Sequence, residues 1–298
     1  MAGPDLSVVV PSVNGLEDLA GCLESLVAES RREAIEILVP DRCGDTVRSV
    51  VARQFPQVRI LAAAPRTTIP DLRAMAFDAA RADTVAVIED HVLVPPGWAT
   101  LIIEARRQGA DVVGGTLYNA AAERMVDWAA YLCEYSHMLA DRPPGPAAWL
   151  TGNNVAYRRT LLDRYRPAVA AGRWEDYLHD RMREDGIVLI YRPDIRVAHK
   201  KHYTVGEYLD QRFLYSRAHA GARVAGRPFW RRMTMALGAG ALPAVLLVRI
   251  AGRVWRAQSC RAEFVRALPL LVLFVSSWAL GEATGFVAGP GDALSRVR

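Results

Sequence analysis

The sequence predicts an α/β domain with a mainly parallel sheet, followed by apolar C-terminal helices. From Leu6 to about Tyr191, short β-branched runs alternate with amphipathic helical stretches, a pattern typical of strands joined by helical crossovers. After Trp230 the pattern changes to two apolar runs separated by an arginine-rich segment. With 298 residues, of which 51% are hydrophobic, the chain can bury a large core and is too apolar for a disordered tail.

The strands of the α/β region are predicted at residues 6–10, 35–39, 58–61 and 84–88. Pro40 closes the second strand, and Pro70 opens a helix that extends to Arg81. The fourth strand leads directly into Glu89-Asp90-His91, so polar side chains are expected at its carboxyl end. In open α/β sheets, ligands bind at this edge.

The C-terminal apolar runs, residues 235–248 and 267–281, are each shorter than the roughly 20 residues that span a bilayer. The second run could extend to Gly289 if Glu282 entered the apolar layer. Arginines flank the first run on both sides, so the positive-inside rule places both of its ends in the cytoplasm. This pattern favours a re-entrant or in-plane helix. The alternative is a buried helical hairpin in a soluble protein.

The net charge is +5, and almost all of the positively charged residues are arginines. A basic chain is typical of proteins that bind anionic lipid, phosphate or nucleic acid. We expect no nucleic-acid partner, because the sequence carries no helix-turn-helix, zinc-finger or RNA-binding signature. The N-terminus does not have the pattern of a signal peptide, so the bulk of the chain is expected in the cytoplasm. The cysteines lie too far apart to indicate a disulfide framework or a structural zinc site: Cys22, Cys43, Cys133 and Cys260.

Glu89 and His91 are candidate ligands of a divalent cation. In an extended segment these two side chains project to the same side while Asp90 points away, so they can offer one oxygen and one nitrogen to a single ion. Such a mixed set suits manganese better than calcium and leaves magnesium open. The alternative interpretation of the tripeptide is a polar loop after a strand.

Several motifs, taken in order, resemble the inverting family 2 glycosyltransferases of the GT-A fold. Residues 7–14, SVVVPSVN, are similar to that family's opening strand, which implies that Pro11, Ser12 and Asn14 bind the nucleotide. Residues 36–41, EILVPD, are similar to its second strand, which implies that Asp41 reads the base. The resemblance also implies that Arg73 lies near the diphosphate and that Asp90 contacts the ribose or sugar.

Residues 85–98, VAVIEDHVLVPPGW, resemble the family's metal-site strand and the turn after it. Glu89-x-His91 stands where most members have Asp-x-Asp, and related enzymes with Asp-x-His are compatible with this change. His199 matches the position of a third metal ligand in many GT-A enzymes. A general basic patch with Lys200, Lys201 and His202 is the alternative for His199.

Residues 149–159, WLTGNNVAYRR, resemble the acceptor-side segment of the family, and Trp174-Glu175-Asp176 resembles the motif that supplies the catalytic base. An acid pair at a helix start favours the ionised carboxylate that a base requires, although such pairs also occur in helices without that role. The broader family favours Asp176, and a subgroup with Trp-Glu followed by histidine favours Glu175. Both acids therefore stay candidates.

Residues 211–217 resemble the Gln-x-x-Arg-Trp signature of processive members only faintly, because the tryptophan is missing and the spacing differs. Polymer synthesis is therefore not predicted. The arginines of this segment could still cap the diphosphate from a mobile loop or meet anionic lipid.

The resemblance implies a glycosyltransferase domain at residues 1–230 and a membrane-associated helical region at residues 231–298. The implied reaction moves a sugar from a nucleotide-diphosphate donor to a hydroxyl of a lipid or glycan acceptor, with inversion and a divalent metal, Mn2+ rather than Mg2+. The implied location is the cell membrane, with the catalytic domain facing the cytoplasm. The alternatives are a catalytically silent nucleotide-sugar-binding membrane adaptor and a soluble nucleotidyltransferase.

Overall fold

The computed structural model describes residues 3–139 and 142–298, which form two compact units. A sheet unit comprises residues 3–118 and 142–200, and a helical unit comprises residues 119–139 and 201–298. Each unit therefore combines segments that lie far apart in the sequence.

All strands within the described residues join one sheet and are numbered in chain order. They are β1 (Leu6–Val9), β2 (Ile35–Asp41), β3 (Val58–Ala62), β4 (Thr84–Ile88), β5 (Val92–Leu93), β6 (Val112–Asn119), β7 (Gly145–Ala147), β8 (Asn154–Arg158) and β9 (Leu189–His199).

The helices of the described residues are numbered likewise. They are α1 (Leu16–Glu29), α2 (Asp45–Gln54), α3 (Ile69–Ala79), α4 (Trp98–Arg107), α5 (Met125–Tyr135), α6 (Arg159–Arg164), α7 (Arg166–Val169), α8 (Glu175–Glu184), α9 (Val205–Arg223), α10 (Phe229–Gly238), α11 (Leu242–Ala257), α12 (Arg261–Ala288) and α13 (Ala293–Arg296).

The strand order is β3-β2-β1-β4-β8-β6-β9-β5, with β7 paired to β9. The first four strands pair in parallel, because α1, α2 and α3 supply the crossovers that parallel pairing requires. β8 is antiparallel to β4 and β6, and β9 is antiparallel to β5 and β7. The α/β fold class predicted from the sequence is confirmed. The sheet is mixed rather than mainly parallel, because the parallel pairs described join β1 to β4 and the pairs of β8 with β4 and β6, and of β9 with β5 and β7, are antiparallel.

The predicted strands correspond to β1 to β4 within two residues, and the fourth has the predicted bounds. β2 continues through Pro40 to Asp41 instead of ending at Val39. Pro40 has no N–H to donate, but its carbonyl accepts the N–H of Ser12 at 2.9 Å, so the proline is accommodated within the sheet. This extension places Asp41 at the carboxyl end of β2.

Two helices present candidate site residues at defined places. α3 begins at Ile69, where the Thr68 side chain accepts the Asp71 N–H and Pro70 occupies the first turn; the helix directs Arg73 to its buried face. α8 begins at Glu175, so the predicted position of the acid pair at a helix start is confirmed.

The helical unit is built around α9 and α12, which pack along each other, with α5, α10 and α11 also against α12. A capping box at Thr204 and Glu207 begins α9. Two helical segments, Phe229–Ala257 and Arg261–Ala288, are long and apolar enough to cross a membrane by length and composition, each with a mean hydropathy of 1.8. The first comprises α10 and α11, which are joined by a 3-10 helix at Ala239–Ala241.

Candidate active site

Glu89 and His91 converge at the carboxyl end of β4. Glu89 Oε2 lies 3.2 Å from His91 Nε2. Asp90, between them in sequence, turns its carboxylate to the other side of the segment, where it accepts the N–H groups of Val13 at 2.8 Å and Asn14 at 2.9 Å. The orientations are those expected of an extended segment, in which alternate side chains share a face.

His199 reaches this pair from the end of β9. β5 pairs with β9 so that Val92 lies opposite His199, and this register sets the two histidines side by side. The Nε2 atoms of His91 and His199 are 3.0 Å apart, and His199 Nε2 lies 4.0 Å from Glu89 Oε2. One donor atom from each residue therefore points into the same small space. We call these three residues the strand-end cluster.

The strand-end cluster fits a divalent cation. Two ligands about 2.1 Å from one ion lie about 3.0 Å apart when adjacent in an octahedron and about 4.2 Å apart when opposite. The observed separations of 3.0, 3.2 and 4.0 Å fall in this range. His91 Nδ1 lies 3.1 Å from the Asp90 carboxylate, and an N–H there leaves the Nε2 lone pair directed at the other donors.

The electrostatics of the cluster favour a positive charge at its centre. Burial by itself lowers the pKa of His91, but hydrogen bonds and charges from Asp90 and Glu89 outweigh it and raise that pKa to about 9. Burial likewise raises the pKa of Glu89, but His91, His199 and Arg73 outweigh it and lower the pKa to about 2. At neutral pH His91 therefore carries a proton, which a metal ion bound at Nε2 would displace.

The predicted nucleotide-binding turn at residues 11–14 is fixed by Asp90. Besides the two backbone N–H groups, Asp90 accepts the Asn14 side-chain amide at 2.7 Å, and it is 1% exposed. Burial raises the pKa of Asp90, but the hydrogen bond and charge of His91, together with the hydrogen bonds from Val13 and Asn14, outweigh it and lower that pKa. Asp90 therefore ties the turn after β1 to the end of β4, and its predicted contact with the ribose or sugar stays a prediction.

Asp41 is held in a similar way at the end of β2. Its carboxylate accepts the Ser12 hydroxyl at 2.7 Å and the N–H groups of Cys43 and Gly44 at 3.2 Å, and it pairs with Arg48 at 3.0 Å. The structure thus brings Ser12 and Asp41 together at adjacent strand ends. Base recognition by Asp41 stays a prediction.

Arg73 and Glu175 form a partly buried ion pair that the sequence did not predict. Arg73 Nη1 lies 2.8 Å from Glu175 Oε2, and the other oxygen of Glu175 accepts the Gly152 N–H at 3.0 Å. A Cβ atom at position 152 would overlap the Glu175 carboxylate, so glycine is required there for this close approach. Arg73 and Glu175 both line a small pocket beside this pair.

One turn connects this acid to the strand-end cluster. Asn153, which follows Gly152, donates its side-chain amide to Glu89 Oε2 at 3.2 Å and accepts the Thr151 hydroxyl at 2.6 Å. Asn153 is 2% exposed, and its neighbour Gly152 holds Glu175. Sequence reasoning identified this Gly-Asn turn only through its resemblance to an acceptor segment. Which side chains it holds depends on contacts between residues that are far apart in sequence.

The two acids of the predicted base motif differ in their surroundings. Glu175 is linked to the strand-end cluster through Gly152 and Asn153, and its side chain is 23% exposed. Asp176 is exposed, and its carboxylate accepts the N–H of Tyr177 at 2.8 Å. Geometry alone therefore favours Glu175 as the acid nearer the cluster.

His179 lies one turn after Glu175 on α8 and is buried. Its Nε2 lies 2.8 Å from the hydroxyl of Tyr157 on β8. Burial lowers the pKa of His179 to about 4, so the imidazole is neutral at physiological pH. This pair anchors the start of α8 to the sheet, which positions Glu175.

A second group of possible metal ligands, Glu123, Asp127 and His202, lies in the helical unit. Arg124 forms two hydrogen bonds to the Asp127 carboxylate, at 2.9 and 2.8 Å, and Glu123 and His202 are exposed. A cation already neutralises Asp127. The strand-end cluster is therefore the better candidate for a metal site.

The arginine of the faint processive-type signature does not lie on a mobile loop. Arg212 is 4% exposed on α9, 3.3 Å from Glu134 and stacked against Tyr215 and Trp278. The expectation that it caps a diphosphate or meets lipid is therefore wrong. The periodicity of α9 is too weak in this segment to show from sequence which side faces inward.

The chain was compared with known proteins. The model of glycosyl transferase family 2 matches residues 7–166, which is more than half of the chain. No curated protein sequence matches significantly.

Two solved structures show the fold. The chain is similar to the mannosyltransferase PcManGT from Pyrobaculum calidifontis, solved in complex with GDP-Man and Mn2+, with a TM-score of 0.56 and 16% identity over 94% of this chain and 87% of that chain. It is also similar to GalNAc-T7, solved with UDP, GalNAc and Mn2+, with a TM-score of 0.52 and 15% identity over 70% of this chain. That match covers 47% of GalNAc-T7, so the chain corresponds to about half of that protein. The chain therefore belongs to glycosyl transferase family 2 and has the GT-A fold.

Proposed function

We propose that this glycosyltransferase moves a sugar from a nucleoside-diphosphate donor to an acceptor hydroxyl by a single displacement that inverts the anomeric centre. The observation that carries the proposal is that one turn, residues 152–153, contacts both the candidate base and the strand-end cluster. Gly152 holds the carboxylate of Glu175, and Asn153 holds the cluster ligand Glu89. A base and a cation site held this way can act on opposite sides of the anomeric carbon. The base would take the proton of the acceptor hydroxyl as its oxygen bonds to that carbon, and the cation would stabilise the diphosphate whose bond to that carbon breaks.

We propose that Glu89, His91 and His199 hold a divalent cation, which would neutralise the charge that develops on the departing diphosphate. One carboxylate with two imidazoles favours a transition metal over magnesium, so Mn2+ is the expected ion. The presence of Mn2+ in both similar structures supports this choice.

We assign the base to Glu175 and keep Asp176 as the alternative. Both acids lie in the first turn of α8, where the helix dipole favours the ionised carboxylate. Glu175 is the one connected to the strand-end cluster, and removal of the acceptor proton by a positioned base typically contributes about 100- to 10,000-fold.

The donor nucleotide is proposed to lie along the ends of β1 and β2. Pro11, Ser12 and Asn14 would line the first turn, and Asp41 would read the base. Arg73 would assist at the diphosphate. Asp90 would act mainly by holding the turn to which Asn14 belongs, since its carboxylate accepts three hydrogen bonds from that turn.

We further propose that residues 1–230 act as the transferase domain and that residues 231–298 associate with the cell membrane, with the catalytic domain on the cytoplasmic side. The two long apolar helical segments and the surrounding arginines support this placement. A lipid-linked or membrane-proximal glycan acceptor follows from it.

The test is a donor screen with the full chain, a membrane lipid extract and Mn2+. Release of nucleoside diphosphate with one nucleotide sugar, together with a mass shift of one glycosyl group in the lipid extract, is the expected result. Nuclear magnetic resonance of the product should show an anomeric configuration opposite to that of the donor.

Retention of configuration would remove the single-displacement mechanism. Release of pyrophosphate would indicate a nucleotidyltransferase. Binding of a nucleotide sugar without turnover, with every lipid and glycan acceptor, would indicate the silent membrane adaptor, which the departure from Asp-x-Asp at residues 89–91 favours. A Glu89→Gln variant serves as the matched control for the metal site. It keeps the shape of this proposed ligand and removes its charge.

A further inference from the structure

Helix α12 is apolar on two sides, one of which is buried within the protein while the other is exposed. Residues on one side are buried within the protein, among them Phe264, Leu271 and Phe274. The other side exposes large apolar residues along the whole length of the helix: Val265, Leu268, Val272, Leu273, Leu280 and Val287. A helix that crosses a bilayer alone would face lipid all round, and α12 does not have this freedom.

The buried side of α12 packs closely on α9. A Cβ atom at Gly281 would collide with the Phe213 carbonyl, and one at Gly285 would collide with the Arg217 carbonyl, so the two backbones are nearly in contact. The Ser277 hydroxyl donates to the Leu209 carbonyl at 2.7 Å. The two helices therefore form one structural body.

α9 is unsuited to the interior of a bilayer. It exposes Glu207, Asp210 and Arg223, and Arg223 pairs with Glu282 of α12 at 2.8 Å. If α12 crossed the membrane, these charged groups would have to enter the hydrocarbon layer with it, at a high cost for each group. The packing thus argues against a transmembrane α12, although its length and composition permit one.

Large apolar residues are also exposed on the helices that pack on α12. α10 and α11 both pack on α12 and expose Phe229, Trp230, Leu237, Val248 and Trp255. Between residues 229 and 266 the chain carries seven arginines and one acid, Glu263. The exposed arginines of these helices are Arg231, Arg249, Arg256, Arg261 and Arg266. We call this combination of apolar side chains and arginines the basic apolar face.

We infer that the basic apolar face binds an anionic lipid bilayer with α10, α11 and α12 lying in the plane of one leaflet, so that no helix crosses the membrane. The inference rests on the membrane association proposed above and gives it a geometry. Helices with an apolar side, tryptophans and arginines lie at the headgroup boundary, buried by about 5–10 Å. The arginines favour a lipid surface over a second copy of the chain as the partner. Two copies of this positively charged face would repel each other, whereas anionic headgroups complement its charge.

The test measures the depth of three positions on the exposed side of α12. Nitroxide labels are placed on Val265→Cys, Leu273→Cys and Leu280→Cys of the full chain, with Cys43 and Cys260 changed to serine. The chain is bound to vesicles of phosphatidylcholine and phosphatidylglycerol, and depth is read from the relative access of oxygen and a nickel chelate. Residues 265 and 280 are about 22 Å apart along a helix.

An in-plane helix places all three labels at the same shallow depth, and this is the expected result. A spanning helix places Leu273 near the bilayer centre and the other two near opposite surfaces, which would overturn the inference and leave membrane association intact. Absence of vesicle binding would overturn both, and self-association of the chain in that case would identify a second copy as the occupant. The donor screen tests the transferase activity separately.

A pair of substitutions controls for general surface effects. Leu273→Asp should weaken vesicle binding at least tenfold, whereas Val188→Asp, at an exposed apolar residue of the sheet unit, should leave it unchanged. Binding of the unaltered chain should also weaken at least tenfold between about 0.05 M and about 0.5 M salt, because the arginine contribution is screened. Equal effects of the two aspartate variants would contradict a role for α12.

Discussion

Each unit of the molecule buries a group of charged residues, and the two groups differ in how their polar atoms are satisfied. In the helical unit, Arg212 pairs with Glu134 and stacks on Tyr215 and Trp278, so the cation is enclosed by its own neighbours. In the strand-end cluster, by contrast, the Nε2 atoms of His91 and His199 face each other at 3.0 Å. Two imidazole lone pairs at this distance require a proton or a metal ion between them.

Burial of a charged group is therefore not by itself a sign of function. A buried cation with its own anion and aromatic partners stabilises a packing arrangement. Several donor atoms that converge on one point, with a further carboxylate fixing the orientation of one imidazole, form a binding site.

Replacing His91 should have the largest effect. His91→Ala removes a proposed ligand and should abolish metal-dependent release of nucleoside diphosphate. The measurement is turnover against Mn2+ concentration. His202→Ala is the matched control, because His202 belongs to the group around Asp127 and should leave turnover unchanged. Loss of metal-dependent turnover in His202→Ala, with turnover kept in His91→Ala, would instead place the metal site in the helical unit.

Isosteric removal of each candidate base should separate the two acids. Glu175→Gln should lower kcat by about 100- to 10,000-fold, whereas Asp176→Asn should lower it by less than about tenfold. Mn2+ affinity should persist in both variants, because neither acid is a proposed ligand. If Asp176→Asn has the larger effect on kcat, the base is Asp176.

Substitutions in the turn at residues 152 and 153 should have separable effects. Asn153→Ala removes a hydrogen bond to Glu89 and should weaken Mn2+ binding by about 10- to 100-fold. Gly152→Ala displaces Glu175 and should lower kcat while leaving Mn2+ affinity near that of the unaltered chain. Calorimetric titration and kinetics on the same preparations provide the two measurements. Identical effects of both variants would show that the turn acts only through stability.

Metal affinity should depend on pH because the ion displaces a proton from His91. The pKa of His91 is raised to about 9, so below that pH each binding event releases one proton. The apparent affinity for Mn2+ should therefore rise about tenfold per pH unit up to about pH 9. Glu89, with its pKa lowered to about 2, stays ionised and adds no dependence in this range. If the Mn2+ affinity stopped rising already near pH 6, the contacts with Asp90 and Glu89 would not raise the pKa of His91 as described.

Arg212→Met should act on stability alone. It leaves Glu134 without the guanidinium and should lower the free energy of unfolding by about 2–3 kcal/mol, below the usual cost of breaking a fully buried pair because Glu134 is partly exposed. Chemical denaturation measures this change. Mn2+ affinity and the KM for the donor should not change, and a loss of either would show that the two groups of charges are coupled.

The residues of the strand-end cluster could be predicted from the sequence because their positions follow from short-range rules. Glu89 and His91 flank one residue at the end of a buried strand, and alternation along that strand puts them on one side. His199 required the resemblance to the GT-A enzymes, since only the pairing of β5 with β9 brings it to His91. The roles of these residues stay predictions until metal binding is measured.

The contacts that connect the site could not be predicted in this way. Arg73 and Glu175 are 102 positions apart in the chain, and Asn153 is 64 positions from Glu89. Neither pair leaves a local pattern in the sequence. The environment of Arg212 was inferred wrongly for the same reason, because its partner Glu134 lies on another helix.

The most direct test of the central claim is a titration of the full chain with Mn2+, followed by the electron paramagnetic resonance signal of the free ion. The account predicts one bound ion per chain in the unaltered protein and loss of that ion in His199→Ala, with a Mn2+ affinity in His202→Ala equal to that of the unaltered chain. Equal binding by the His199→Ala variant, or no binding by the unaltered chain at any pH up to about 9, would contradict it.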